Sequence, residues 1–249
     1  MENGVRYLIN FGEGLSTGIF LDQRENRRRL LGMKLAGKSV LNCFAYTCAF
    51  SVAAAQAGAV TTSVDLSKNY LDWGKANFAA NDLECGDLSP LSAPRLVAAE
   101  DGAETDQTET EQPDNNKALT SQRTPKHQFL AGDVFEWLKR LVKRAQKFDV
   151  VILDPPTFST TKQGRRFQAE RDYGALAASA MPLVARGGWL LCSTNQRTLA
   201  PDKFEAALRE AARLATREIT AIEFVTLPPD FRVAEGERAY LKTFWLELA

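Results

Sequence analysis

The stretch "FDVVILDPPTFS", Phe148 to Ser159, decides the fold. Val150 to Leu153 form an unbroken apolar run without polar alternation, as in a strand covered on both faces of a parallel sheet. The run stops at Asp154, and Pro155 and Pro156 then fix a rigid turn that offers no backbone N–H. In an open parallel sheet, ligands lie beyond the carboxyl ends of the strands, so Asp154 emerges where a ligand would sit. Asp-Pro-Pro also serves as an ordinary strand-ending turn, and the rest of the chain must choose between the readings.

Working outward, the same kind of run recurs in "KSVLNCF" (38–44), "AVTTSVDL" (59–66), "HQFLAGD" (127–133) and "GGWLLCS" (187–193). Between these runs, "YTCAFSVAAAQAG" (46–58), "SKNYLDWGKANFAAND" (67–82), "VFEWLKRLVKRAQK" (134–147) and residues 165–185 carry helical spacing. Strand-helix alternation with apolar strands predicts an α/β, Rossmann-like sheet, mostly parallel, with helices on both faces. At the far end, "EITAIEFVTL" (218–227) and "AYLKTFWLEL" (239–248) have only "PPDFRVAEGER" between them. That is a hairpin, so the C-terminal strand should run antiparallel. "VRYLINF" (5–11) and "TGIFLD" (17–22) suggest an N-terminal accessory hairpin, followed by a helix from about Arg24 to Met33.

Company favours the ligand reading of Asp154. Asp65 ends the second run, 23 residues after Asn42, where a nucleotide-binding sheet offers a carboxylate to ribose hydroxyls. Asp133 ends the third run, placed to accept from an adenine amino group. Each alone would more often be a helix N-cap; three acids closing three strands point to a nucleotide site. The turn after the first strand, "NCFAYTCAFS", holds no glycine for a pyrophosphate to approach, which disfavours a dinucleotide and an oxidoreductase. An adenosine ligand without phosphates remains, and S-adenosylmethionine fits.

Composition narrows the chemistry further. The 249 residues are 45% hydrophobic and 25% charged, enough for a sizeable core. No apolar run approaches the roughly 20 residues that span a bilayer, and "MENGVRYLINFGEG" lacks the layout of a signal peptide, so the cytoplasm is expected and a membrane partner is not. Cys43, Cys48, Cys85 and Cys192 form no C-x-x-C pair, and His127 is the only histidine, which excludes a structural zinc site and leaves little room for a histidine base. The net charge of zero hides an asymmetry: Glu84 to Asn116 holds nine acids against Arg95, a net of −8, leaving +8 on the rest. That stretch is polar and almost free of aromatic residues, so 86–125 reads as an acidic, disordered insertion.

The motifs "GIFLDQRENRRRL", "VLNCFAYTCAFSVAAAQAGA", "SVDLSKNYLDWGKANFAAND", "DVFEWL" and "DPPTFS" occur in that order over nearly the whole chain outside the insertion. In them the chain resembles the class I S-adenosylmethionine-dependent methyltransferases, specifically the bacterial large-subunit ribosomal RNA methyltransferases. "AYT", "YLDWGKAN", "DPPTFS" and the late "PDF" are most similar to the C-terminal, guanine-N7-methylating half of the bifunctional bacterial 23S rRNA enzyme. The resemblance implies a seven-stranded methyltransferase domain over 37–249 behind an N-terminal hairpin and helix over 1–36. It implies that Asn42, Phe44, Ala45, Tyr46 and Thr47 form a methionine-side loop, that Asp65 with Leu66 holds the ribose, and that Asp133 with Val134 faces the adenine. Phe20, Asp22, Gln23 and Arg24 would close the pocket from the N-terminal side. Where the family continues with glycine, this chain has Cys48.

The partner implied is ribosomal RNA of the 23S class before full assembly, with a fused or separate RNA-binding domain as a further possibility. "QRENRRRL" and "KQGRR" would flank the site mouth and meet phosphates. Asp154, Pro155, Pro156, Phe158 and Asn195 are the candidate catalytic residues: Phe158 to stack on a flipped base, with Ser159, Asn195 and Arg197 bonding its edge. Cytosine-C5 methylation needs a thiolate. The cytosine-modifying relatives would place it where Thr194 stands, Cys192 lies two residues early, and Thr157 follows Asp154-Pro155-Pro156. Guanine N7 needs no such nucleophile. A Cys-dependent cytosine enzyme and a catalytically silent cofactor- or RNA-binding module are the competing readings.

Overall fold

The computed structural model describes residues 1–11, 17–83, 127–160, 166–237 and 239–249. The acidic insertion expected at 86–125, Cys85 and nearly all of "KQGRR" therefore lie outside the described residues.

Among the described residues nine strands and six α-helices follow one another. They are α1 (Arg24–Gly32), β1 (Ser39–Cys43), α2 (Ala49–Gln56), β2 (Val60–Asp65), α3 (Lys68–Ala79), β3 (His127–Ala131) and α4 (Val134–Lys143). After them come β4 (Phe148–Leu153), β5 (Phe158–Thr160), β6 (Arg166–Gln168), α5 (Ala169–Ala180), β7 (Val184–Thr194), α6 (Pro201–Leu214), β8 (Ile219–Val225) and β9 (Lys242–Leu248). Seven strands form one sheet in the order β3-β2-β1-β4-β7-β9-β8. β3 to β7 in that row pair in parallel, whereas β9 is antiparallel to both of its neighbours.

The apolar run that opened the sequence is β4, at the centre. Its residues alternate between two cores: Val151 and Leu153 join Leu138, Leu176 and Phe204 under α4, α5 and α6, while Val150 and Ile152 meet Leu30, Phe50 and Ala54 under α1 and α2. Each such aliphatic side chain taken from water contributes about 1.5–3 kcal/mol, which is why this stretch cannot alternate with polar residues. α2 is rich in alanine, and six of its eight residues are buried; small side chains let it lie between α1, α3 and the sheet. α4 has the opposite character, burying only the stripe Val134, Leu138 and Leu141. Among the described residues no helix is long and apolar enough to cross a membrane.

Three expectations need correction. Among the described residues the N-terminal segments 5–11 and 17–20 are not paired strands, although Asn10 N–H donates to Thr17 O at 3.2 Å. The reason is that α3 and the turn after it take the backbone groups of 5–11 first: Asn81 Oδ1 accepts from Arg6 N–H, Asn77 Oδ1 accepts from Leu8 N–H at 2.7 Å, and Trp73 Nε1 donates to Leu8 O. Secondly, α6 was not among the helices read from the pattern, although Pro201 at its start and Glu205 paired with Arg209 at i,i+4 are helix signals. Thirdly, the start of the 165–185 segment is strand: Arg166–Gln168 pairs antiparallel with Phe158–Thr160, so the tail after Asp154-Pro155-Pro156 is a small ribbon.

Candidate active site

The strand order reverses between β1 and β4, and a cleft opens there at their carboxyl ends, as expected for an open α/β sheet. It has a volume of about 300 Å³ and is lined by Phe20, Asp22, Gln23, Phe44, Tyr46, Asp65, Leu66, Tyr70, Asp133, Val134, Phe135, Asp154, Pro155, Pro156, Phe167, Asn195 and Leu241. Four of these are aspartates and none is lysine or arginine. A smaller recess of about 40 Å³ adjoins it, shares Phe20, Gln23, Phe44, Tyr46 and Asp154, and has Ala45 on its wall.

Each strand-ending acid is built in differently. Asp65 Oδ2 accepts from Tyr46 N–H and Oδ1 from Ser67 N–H, both at 2.8 Å. The Leu66 N–H also acts on this carboxylate, and the remaining lone-pair capacity can still accept a hydroxyl. Burial raises its pKa against the pull of those amide bonds. Ser67, not Asp65, caps α3. Asp133 does cap α4, accepting at Oδ1 from Phe135 N–H at 2.8 Å, so the ordinary reading of this residue holds while it also lines the cleft. Asp154 accepts from Gln23 Nε2 at 3.1 Å, and burial pushes its pKa up to about 7.

The loop after β1 is tightly wound. Phe44, Tyr46 and Cys48 have φ of 60°, 49° and 61°, left-handed conformations that residues with a Cβ adopt at a cost of about 1 kcal/mol or more each. Strand-end bonds hold it: Ala45 N–H to Val64 O, Tyr46 N–H to Asp65, and Cys48 N–H to Ala45 O. Cys48, in the family's glycine position, adopts the glycine-like backbone and turns its thiol towards Gly74 of α3. It lines neither the cleft nor the recess.

Several expected site residues act from behind the wall. Asn42 is buried and donates to Ser51 Oγ at 2.9 Å, which in turn meets Ser63 Oγ, so it fastens α2 to β1 and β2. Thr47 donates to Gly18 O at 2.6 Å and its carbonyl accepts from Asn77, tying the loop to α3 and to the N-terminal segment. Arg24 does not close the pocket: it forms a two-pronged pair with Asp230, in the "PDF" turn. Phe158 stands on β5 outside the cleft, 64% exposed. Asn195 lines the cleft, with Oδ1 accepting from Thr157 at 2.6 Å, which leaves its amide N–H groups for a ligand.

The arginines of "QRENRRRL" are largely occupied within the protein. Arg27 is buried and paired with Glu2 through two bonds of 2.7 Å, Arg28 pairs with Glu25, and Arg29 pairs with Glu223 while covering Trp189 and Trp245. Within the expected phosphate-binding run, Arg27 and Arg29 serve packing. His127 begins β3, at the end of the sheet away from the cleft, with Nδ1 3.0 Å from Thr61 Oγ1. Cys43 and Cys192 are buried in the core, and burial raises both thiol pKa values strongly.

Sequence reasoning missed Tyr70, Phe135, Phe167 and Leu241. Phe135 follows Asp133-Val134, and Tyr70 lies one turn into α3, five residues after Asp65; each was within reach of a motif already noticed. Phe167 and Leu241 come from β6 and from the residue before β9, placed by tertiary pairing alone.

Residues 1–99 match the family described as S-adenosylmethionine-dependent methyltransferase. Over these residues the chain is similar to the S-adenosylmethionine-dependent methyltransferases. The chain is 33% identical over 249 residues to "Putative ribosomal RNA large subunit methyltransferase YwbD" of Bacillus subtilis, covering 99% of the chain and 53% of that protein. It is 38% identical over 196 residues to the ribosomal RNA large subunit methyltransferase K/L of a Psychrobacter species, covering 78% of the chain and 19% of that protein. The solved structure of SMU.776, "a putative methyltransferase complexed with SAH", superposes with a TM-score of 0.73 at 30% identity, covering 99% of the chain and 55% of that structure. The chain thus spans at most about half the length of these relatives.

Proposed function

We propose that this methyltransferase transfers a methyl group from S-adenosylmethionine to a base of large-subunit ribosomal RNA in the cytoplasm, with guanine N7 of 23S rRNA the preferred acceptor. One observation carries the reading: among the described residues the cleft at the strand ends is lined by four aspartates and no cationic side chain. Such a wall repels phosphates and suits a ligand that is itself a cation, as the sulfonium cofactor is. Asp65 would take the ribose hydroxyls, Asp133 the adenine amino group, and Tyr46 with Phe20 the aliphatic portion. When bound, the cofactor supplies an electrophilic methyl group. The structurally similar SMU.776, solved in complex with SAH, supports placing the cofactor here.

The acceptor is argued from what lines the cleft. No cysteine among the described residues does, and Cys192 is 0% exposed in the apolar core. A nucleophile from the protein is therefore missing from the wall, which disfavours cytosine-C5 chemistry. Guanine N7 carries its own lone pair, so the protein's task is alignment. Asn195 offers amide donors and Asp154 an acceptor to a base edge, and Phe158 stands exposed for stacking outside the cleft. Relatives named for large-subunit ribosomal RNA support the substrate class. Because the chain spans only part of them, a further RNA-binding domain belongs to the same proposal.

Calorimetric titration with S-adenosylmethionine, followed by methyl transfer to unmodified 23S rRNA and mass-spectrometric mapping of the product, tests it. Cofactor binding with a new 7-methylguanine is expected. A methyl group at cytosine C5 would overturn the acceptor, and binding without transfer to any RNA would favour a silent module.

A further inference from the structure

Asp154 is joined to a buried group of polar side chains, Gln23, Asn26, Ser193, Thr243 and Trp245, of which only Gln23 reaches the cleft wall. The indole N–H of Trp245 can only donate, and it does so to Asn26 Oδ1 at 3.0 Å. That contact fixes the Asn26 amide, whose Nδ2 donates to Gln23 Oε1 at 2.7 Å and to Thr243 Oγ1 at 3.1 Å. Two arms then run to one carboxylate. With its oxygen used, Gln23 turns Nε2 towards Asp154 Oδ2 at 3.1 Å and Ser193 Oγ at 2.7 Å. Thr243 donates to Ser193 Oγ at 3.1 Å, and the Ser193 hydroxyl in turn stabilises the charged form of Asp154. Every donor in the group points the same way. A reversed Asn26 amide would set N–H against N–H at the indole, and a reversed Gln23 would set oxygen against the Asp154 carboxylate.

We infer that Trp245 and Asn26 are positioning residues for the methyl-transfer site: the indole N–H sets the direction of a two-armed hydrogen-bond chain that keeps two donors on Asp154. The inference rests on the reading of Asp154 as the group facing the methyl acceptor. Other groups also act on Asp154: Asp22 opposes its ionisation, Arg27 on α1 favours it, and Tyr173 on α5 lies close enough to feel its charge. Removing the chain's direction while leaving those three in place isolates its effect.

The test uses Trp245→Phe, which deletes the donor that sets the direction, and Thr243→Val, which cuts one arm with little change of shape. Carbon-13 carboxyl resonances of aspartate-labelled protein, free of cofactor and RNA, give the titration midpoint of Asp154, assigned by Asp154→Asn. Trp245→Phe is expected to raise that midpoint by about one pH unit, equivalent to tenfold less carboxylate at a given pH below it. Thr243→Val should raise it by less. In methyl transfer, kcat should fall and its pH profile should move to the same higher midpoint, with KM for S-adenosylmethionine nearly unchanged. Folded variants that titrate Asp154 as the wild type does would overturn the inference. If Trp245→Phe does not fold, an unshifted Thr243→Val overturns it alone. Should the protein bind no cofactor, the titration would still read the chain, and only the functional reading would fail.

Discussion

The thiol of Cys48 occupies the space that a side chain on Gly74 would need: a Cβ there would lie 2.4 Å from Cys48 Sγ and 2.9 Å from its Cβ. The two positions are complementary. A left-handed residue that keeps its Cβ is accommodated because the facing helix residue has none.

Gly74→Ala should therefore destabilise the fold by about 1–3 kcal/mol through overpacking. Cys48→Gly alone should change stability little, since relief of the left-handed backbone offsets the lost buried thiol. Combined with Gly74→Ala it should restore most of the loss, because glycine suits the φ of 61° at position 48. Urea unfolding of the four proteins in a double-mutant cycle measures the coupling. A double variant no more stable than Gly74→Ala would refute the complementarity.

Asp65→Ala should weaken S-adenosylmethionine binding by roughly 2–4 kcal/mol, as expected when charge-assisted bonds to a ribose are lost. Part of that loss should come through the loop, whose Tyr46 N–H loses its acceptor. Calorimetry on the folded variant decides, and an unchanged dissociation constant would remove Asp65 from the site.

Much of this was legible because the decisive features are local. The run Val150–Leu153, ended by Asp154, announces a central strand whatever packs on it. Asp65 and Asp133 are legible for the same reason: each closes a strand. What could not be read depended on partners far away in sequence. Arg24 and Arg29 look like phosphate ligands until Asp230 and Glu223 are brought to them by the terminal strands. The 5–11 segment reads as a strand by composition, and only the side chains of Asn77 and Asn81 show that its backbone bonds go elsewhere.

Stability should respond to pH through Asp154. Burial raises its native pKa from 3.8 to about 7, so between these values the native state holds a proton that the unfolded chain has released. The wild type should thus lose stability as pH rises through this window, by at most about 4 kcal/mol for a shift of about three units. Asp154→Asn lacks the titration, so its stability relative to wild type should climb from pH 4 to 7 and then level off. Denaturant midpoints across that range give the answer, and a flat difference would contradict the burial of this carboxylate.

Cys192→Ser should retain methyl transfer, because the thiol lies in the core and no covalent adduct is expected; its cost should appear in stability. Phe158→Ala should leave stability nearly unchanged, given its 64% exposure, and weaken RNA binding by about 1–3 kcal/mol of base stacking. Trapping of the enzyme on 5-fluorocytosine-containing RNA, lost in Cys192→Ser, would reassign the acceptor to cytosine.

The position of β9 in the sheet has a consequence for biosynthesis. β8 is made before β9 but pairs only with it, and β9 in turn is the neighbour of β7. A nascent chain that has reached residue 241 therefore carries β7 as a bare sheet margin and β8 as an orphan, with apolar Leu190 and Leu191 beside open backbone groups. Such a margin is a template for misassociation until it is filled. Lys242–Leu248 fills it in one step and brings Thr243 and Trp245 with it, so the donors that steer Asp154 arrive as the sheet closes, and the enzyme cannot acquire its site before it has lost its sticky edge.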